Sequence, residues 1–313
     1  MWLSMVRVDK GMLNINKGEW MNVLSLFDGM SCGQIALNRA NIEYDDYYAS
    51  EIDKYAIAVT QHNHPNTKQL GDVAKVNVKD LPKIDLLIGG SPCQGFSFAG
   101  KQLNFDDPRS KLFFEYVRVL NDIREYNPNV KFLLENVRMK KESQDIISKH
   151  LGVEPVKINS SLVSAQNRVR LYWTNISDEV KQPINKNILL ADILENAFTN
   201  REKSYCIDAN YGKGGNLKRY FYRSSRQITF INKGFMEGLL RNKPLINKIN
   251  DVGNRFKHAW RMLTISEVEK LQTVDYGYTN TDSIPKQERY KMLGNGWTVD
   301  VIVHIFNSLK GER

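Results

Sequence analysis

The sequence predicts an α/β fold, a doubly wound and mostly parallel sheet with helices on both faces, joined by a small second domain. Three observations carry this. Short apolar runs alternate with helix-like segments through the first half of the 313-residue chain. Acidic, amide or thiol residues stand directly after those runs, where an open α/β sheet puts its chemistry. The alternation fades after Asn175 into polar, Asn-rich sequence and resumes near Arg261. The reading divides the chain into an extension over 1–20, a large first domain over 21–175, a small second domain over 176–260, and a segment over 261–313 that returns to complete the first domain. A chain of this length can bury a large core and a smaller one.

Val23 to Phe27 reads as the first strand, Asp28 to Gly33 as a Gly-containing turn, and Gln34 to Ala40 as the start of a helix. Tyr47 to Ser50 supplies a second strand ending in Glu51, followed by a helix from Lys54 to His62 before Pro65. Such βα units imply parallel pairing with right-handed crossovers. Ile84 to Ile88 and Phe132 to Leu134 add strands. Between them Ser110 to Tyr126 puts Leu112, Phe113, Tyr116, Val117 and Leu120 on one helical face. Val153 to Ile158 and Val169 to Trp173 read as further strands. Ile265 to Gln272 and Trp297 to Leu309 read as helices, the latter long enough to pack back on the sheet. Residues 1–20 are weakly patterned and stand before Met21 at the first strand.

Composition narrows the class. Hydrophobic content of 42% and charged content of 25% are ordinary for a globular protein. There is no apolar stretch of membrane-spanning length and no signal-peptide pattern, so a cytoplasmic protein with no membrane partner is expected. The three cysteines form neither a disulfide framework nor a zinc pattern, and His62 and His64 read as a helix end stopped by Pro65, so no metal is expected. The net charge of +9 is localised. Lys181 to Lys257 holds 15 Lys and Arg against 6 Asp and Glu, while the rest of the chain is balanced at 29 against 29. Tyr205, Tyr211, Tyr220, Phe221 and Tyr222 interleave with these bases. That mixture suits a polyanion offering flat bases, the plainer alternative being a solvated lysine-rich surface.

Two reactive groups emerge from strand ends. Ser91-Pro92-Cys93-Gln94 presents a thiol after the run Ile84 to Gly90, and Glu135-Asn136-Val137 presents a carboxylate after Lys131 to Leu134. The turn Asp28-Gly29-Met30-Ser31-Cys32-Gly33 lets a ligand approach the backbone closely. Glu51, 22 positions beyond Gly29, stands where an acid bonds ribose hydroxyls. The pattern is not Gly-x-Gly-x-x-Gly, so the turn favours a nucleoside-containing cofactor without a pyrophosphate.

In order, the chain carries Phe27-Asp28-Gly29, Glu51, Gly71-Asp72-Val73, Ser91-Pro92-Cys93-Gln94, Glu135-Asn136-Val137, Gln166-Asn167-Arg168-Val169-Arg170, Leu263-Thr264 with Glu267 and Leu271-Gln272, and Gly294-Asn295. This series resembles the DNA (cytosine-5)-methyltransferases, in family order, from Val23 to about Leu309. The stretches Gly90 to Cys93, Leu112 to Glu115 and Trp297 to Ile302 are most similar to the catalytic domain of the animal de novo enzymes. The lack of a fused regulatory domain and the short target region resemble a bacterial or phage member.

The resemblance implies an S-adenosylmethionine-dependent, Rossmann-like methyltransferase fold and a methyl transfer to C5 of a flipped cytosine in a short duplex DNA site. Cys93 is then the nucleophile toward C6, Glu135 the partner of N3, and Arg168 and Arg170 the residues that orient Glu135 and contact the base or its phosphate. The cofactor S-adenosyl-L-methionine is expected to meet Phe27, Asp28, Gly29, Ser31, Glu51, Ile52, Asp72, Val73, Pro92, Leu112, Asn295 and Trp297. Gly296 departs from the small hydroxyl residue common at its position. Double-stranded DNA is the implied partner, contacted by Gln94, Ser97, Arg219, Arg223 and Arg226, and a separate cognate restriction endonuclease is a second possible partner. Two alternatives stand beside this reading. A relative on the same core methylates transfer RNA, but its Cys-Phe-Thr tripeptide is absent here. Silent DNA-binding relatives have no chemical reason to keep Cys93, Glu135, Arg168 and Arg170 together.

Overall fold

A computed structural model describes residues 21–92, 111–242, 244, 258–281 and 283–312. The extension over 1–20 and the residues Cys93, Gln94 and Ser97 lie outside them. The first domain runs β1 (Met21–Leu26), α1 (Cys32–Arg39), β2 (Tyr44–Ser50), α2 (Lys54–Asn63), β3 (Lys68–Gln69), β4 (Leu86–Gly89), α3 (Lys111–Arg124), β5 (Lys131–Val137), α4 (Lys141–Leu151), β6 (Val156–Asn159) and β7 (Val169–Thr174).

These strands form one seven-stranded sheet in the order β3-β2-β1-β4-β5-β7-β6. The five strands from β3 to β5 pair in parallel. The sheet is mostly parallel, as expected, the exception being β7, which runs antiparallel to both β5 and β6. The connection from Asn159 to Val169 is too short for a parallel crossover, which needs a dozen or more residues, so the chain returns as a hairpin. The order reverses between β1 and β4, and their carboxyl ends open a crevice there.

Both faces of the sheet are covered, which is why the central strands read as unbroken apolar runs. Alternate residues serve opposite cores. Val23, Leu86, Ile88 and Leu133 face one, which includes α1 and the C-terminal helices. Leu24, Leu26, Leu87, Phe132 and Leu134 face the other, against α3 and α4. Full burial of each such side chain contributes roughly 1.5–3 kcal/mol.

Beyond β7 the chain forms α5 (Leu190–Ile193), α6 (Leu217–Arg223), β8 (Ile228–Phe230), α7 (Lys233–Arg241) and β9 (Trp260–Met262), with β8 and β9 paired antiparallel. Leu217, Tyr220, Ile228, Phe230, Met236 and Leu239 make a separate small core, so the basic segment has its own hydrophobic support. The return begins with α8 (Ile265–Leu271), opened by a capping box in which Thr264 accepts from the Glu267 N–H and Glu267 from the Thr264 N–H. Helices α9 (Lys286–Asn295) and α10 (Val299–Phe306) follow, and α10 packs on α1. The expected helix over 297–309 thus starts later, after Thr298, and ends in a 3-10 turn over Asn307–Glu312.

Candidate active site

The turn after β1 is strained and tightly held. Phe27, Gly29 and Ser31 have φ of 57°, 60° and 63°, all left-handed. For a bulky aromatic residue that conformation costs roughly 1–2 kcal/mol. Phe27, expected as the last strand residue, therefore leaves the ladder and turns instead. Neighbours over-determine the bend: the Asp28 N–H donates to Ser50 O at 3.2 Å, the Tyr47 hydroxyl to Asp28 Oδ1 at 2.7 Å, and the Gly29 N–H to Glu51 Oε2 at 2.8 Å. Strain of this kind, offset by its surroundings, marks ligand sites.

Glu51 is locked by two more donors, the N–H groups of Ile52 and Asp53, each 2.8 Å from Oε1. Ile52 beside it is largely exposed. Asp28 Oδ2 is buried without a hydrogen-bond partner. Burial pushes the Asp28 carboxyl up to about 6, against hydrogen bonds from Ser25, Tyr47 and Ser31, with the Glu51 charge adding to the rise. Asp72 caps a 3-10 turn over Val73–Lys75 by accepting the Ala74 N–H, and Val73 is buried beneath it. Leu112 and Phe27 pack as half-buried residues on the α3 side of the sheet.

The opposite wall comes from the C-terminal return. Asn295 ends α9 and Trp297 is buried two residues on. Gly296 sits in a tight place: a β-carbon there would lie 3.0 Å from Met30 Cε, 3.1 Å from Met292 O and 3.3 Å from Cys32 Sγ, so a side chain would require these neighbours to shift by a few tenths of an ångström. Cys32 is buried against the Trp297 carbonyl, and desolvation pushes its thiol up to about 12, which removes it as a nucleophile. A buried amide network fixes this wall. Gln272 donates to Leu293 O at 2.6 Å and accepts from Thr298 Oγ1 at 3.1 Å and from Gln166 Nε2 at 3.2 Å.

On the other side of β4 lies the carboxylate. Glu135 is buried at the end of β5, and Arg170 Nε pairs with its Oε1 at 2.9 Å. The register brings them together: Val137 faces Arg170 across the antiparallel pair and Glu135 faces Tyr172, so the two side chains are diagonal neighbours on one face. Burial is the largest single influence and lowers the Arg170 guanidinium, but the charge of Glu135 together with Cys206 and Tyr172 outweighs it, and the net shift is upward. Asn136 donates to Ser91 Oγ at 3.1 Å, tying β5 to the segment that leads to Pro92 and Cys93. Gly90 lies between Trp297 and Glu135 and leaves the space between them open. A β-carbon there would meet Trp297 Nε1 at 2.9 Å and Glu135 Oε2 at 3.2 Å.

Arg168, expected with Arg170 to orient Glu135, makes its hydrogen bonds elsewhere. It stands before β7, and its guanidinium is buried and donates to Ile207 O, Gly294 O and Gly296 O and to Cys206 Sγ. Those main-chain partners lie far along the chain, so spacing gave no sign of them. In the basic segment Arg219 and Arg223 are exposed on α6, whereas Arg226 pairs with Asp208 at 2.9 Å. Asn136, Gly90, Gln272 and Cys206 are site-shaping residues without a sequence-level assignment; for Asn136 the adjacent Glu135 was the available signal. Among the described residues no His, Cys, Asp and Glu cluster has metal-binding geometry, and no helix is long and apolar enough to cross a membrane.

Comparison with known proteins agrees with this architecture. The orphan methyltransferase M.Rho11sI of Bacillus phage rho11s is 36% identical over 173 residues, a match covering 51% of this chain and 34% of that protein. The chain thus spans about a third of that relative's length. The type II methyltransferase M.NlaX of Neisseria lactamica is 28% identical over 318 residues, covering 92% of this chain and 96% of the relative. The crystal structure of S. pombe Dnmt2 methyltransferase superposes with a TM-score of 0.67 at 20% identity, over 93% of this chain and 99% of that one, which establishes a shared fold. Cytosine-5 methylases take their methyl group from S-adenosylmethionine. The crevice fits that donor, with a fixed carboxylate at Glu51, an unpartnered buried oxygen on Asp28 and an indole wall at Trp297. The model of the C-5 cytosine-specific DNA methylases matches residues 21–311, nearly the whole described molecule, and the chain belongs to that family.

Proposed function

We propose that the protein methylates C5 of cytosine in duplex DNA, with Cys93 as nucleophile and Glu135 as the group that meets the base at N3. The observation that carries this reading is the buried Glu135–Arg170 pair at the end of β5, joined through Asn136 to the strand end that delivers Cys93.

Cytosine C5 is a poor nucleophile, so the ring is first activated by addition at C6. The Cys93 thiolate forms the S–C6 bond, and the electron pair displaced toward N3 is met there by Glu135 acting as proton donor. S-adenosylmethionine, held by the donor-pocket residues, would supply the electrophilic methyl group to C5, with its sulfur as the leaving group. Loss of the C5 proton to a base then expels the Cys93 thiolate, and the N3 proton returns to Glu135, which restores the neutral aromatic ring. Arg170 holds the Glu135 carboxyl at a fixed orientation throughout, which a flexible lysine could not do through several donors at once. Phe27, Glu51, Asp72, Leu112 and Trp297 serve the donor pocket, and Gly90 keeps it in contact with the base pocket.

A base inside a duplex cannot reach this crevice, so the target is extruded. The segment over 176–260 supplies the phosphate contacts, with exposed Arg219 and Arg223 on α6 as candidates, while Arg226 serves to brace Asp208. Tritiated methyl transfer to mixed-sequence duplex DNA and to transfer RNA, run in parallel, tests the substrate. Transfer to DNA alone is expected; transfer to transfer RNA alone would replace this reading with the RNA one. Cys93→Ser is expected to abolish transfer while DNA binding persists.

A further inference from the structure

We propose that Arg168 is a positioning residue that couples donor binding to the geometry of the target segment and of Glu135. The proposal rests on the donor reading above. Its basis is the set of groups that one buried guanidinium holds. Nη2 donates to Gly294 O at 3.2 Å and Gly296 O at 2.8 Å, the two carbonyls that flank Asn295 and lead into Trp297. Nη1 donates to Ile207 O at 2.9 Å and to Cys206 Sγ at 3.4 Å, within the segment over 176–260. Cys206 Sγ also lies 3.9 Å from Arg170 Nη2, and Arg170 Nε holds Glu135. A continuous series of contacts therefore runs from the donor wall to the carboxylate.

Two features separate this from ordinary packing. Arg168 is 2% exposed, and among the described residues no carboxylate forms an ion pair with it. Among the described residues the hydrogen bonds of this buried cation go only to carbonyls and a thiol, an expensive way to fill space. Its geometric return is the planar fork, which aims separate donors at two chain segments, whereas a lysine ammonium concentrates its donors at one point. Displacement of Gly294 or Gly296 must therefore be felt at Cys206 and Ile207. By reciprocity, disturbance at Cys206 must be felt by the donor.

Cys206 is exposed, so its thiol reports directly on the network. The test uses the full chain and S-adenosylhomocysteine as an unreactive donor probe, with binding first established by calorimetry. N-ethylmaleimide alkylation of Cys206 is then followed by peptide mapping, which separates it from Cys32 and Cys93. Saturating probe is expected to slow Cys206 alkylation at least about five-fold, and alkylated protein is expected to bind the probe more weakly by a similar factor, the lower end of ordinary coupling energies. In Arg168→Lys the probe is expected to bind but the alkylation rate to stay the same with and without it. An unchanged rate in the wild-type chain, or a full change surviving in Arg168→Lys, overturns the coupling. Should Arg168→Lys fail to fold, the two wild-type measurements still decide, since coupling requires both. Failure of the probe to bind at all would instead overturn the donor reading and the coupling with it.

Discussion

Replacing Arg170 with Met removes the cation from the Glu135 pair while keeping a long apolar stem. The separation is 2.9 Å and the side chains are 14% and 11% exposed, so solvent screens the pair poorly. At an effective dielectric near 20 the attraction is about 6 kcal/mol, much of it offset by the cost of burying both ions. Truncating one partner leaves the other charge buried and unpaired, at a cost of roughly 3–5 kcal/mol, a large share of a domain's usual 5–15 kcal/mol. Urea unfolding measures this. Adding Glu135→Gln to Arg170→Met should recover about 2 kcal/mol or more, because neighbouring residues are non-additive. Arg170→Lys keeps the charge but loses the donors to Val169 O and Cys206 Sγ, so its stability loss should stay below about 2 kcal/mol. Its methyl transfer should nevertheless fall on the order of 100-fold, as expected for a misoriented catalytic group. A loss below about 1 kcal/mol for Arg170→Met, or strict additivity with Glu135→Gln, would refute the claim that the pair is a buried functional unit.

Gly90→Ala places a methyl group 2.9 Å from the Trp297 ring nitrogen and 3.2 Å from Glu135 Oε2, so it should weaken S-adenosylhomocysteine binding and methyl transfer together; unchanged affinity and rate would show that the pockets tolerate separation. The Asp28 carboxyl, raised from 3.8 to about 6, binds its proton more tightly in the folded chain than in the unfolded one, so stability falls as pH rises through that window. The full shift corresponds to about 3 kcal/mol. Asp28→Asn should therefore raise unfolding stability at pH 8 relative to wild type, lose most of that gain at pH 4, and weaken donor binding; an equal effect at both pH values would contradict the burial argument. Leu87→Ala, at a fully buried position between β1 and β5, should cost roughly 2–5 kcal/mol in urea unfolding without altering the active-site geometry.

Much of this was visible in the residues themselves. The βα units announced their strands because burial on both faces forces runs such as Leu86-Leu87-Ile88, and strand ends announced Glu51, Ser91 and Glu135. What escaped was pairing between distant segments. The antiparallel return of β7 follows from a short hairpin connection, yet apolar runs look alike in either direction. Arg168 and Arg170, two residues apart, read as equals; only tertiary partners 35 to 128 positions away in sequence make one a brace and the other the mate of Glu135. Phe27 is a strand former by type, and its left-handed turn is imposed by bonds from Ser50, Tyr47 and Glu51 that no local propensity reports. Gly296 looked like a departure until Met30 and Cys32 were seen to crowd the space a side chain would need.

The central claim is that the protein methylates cytosine in DNA with Cys93 as the nucleophile and the Glu135–Arg170 pair at the base. Bisulfite sequencing of DNA from a host without cytosine methylation of its own, expressing either this chain or its Cys93→Ser variant, tests it most directly. Protected cytosines at one short recurring sequence, present with the wild-type chain and absent with the variant, are expected. An unmethylated genome despite folded, donor-binding protein, or equal protection from the variant, would contradict it.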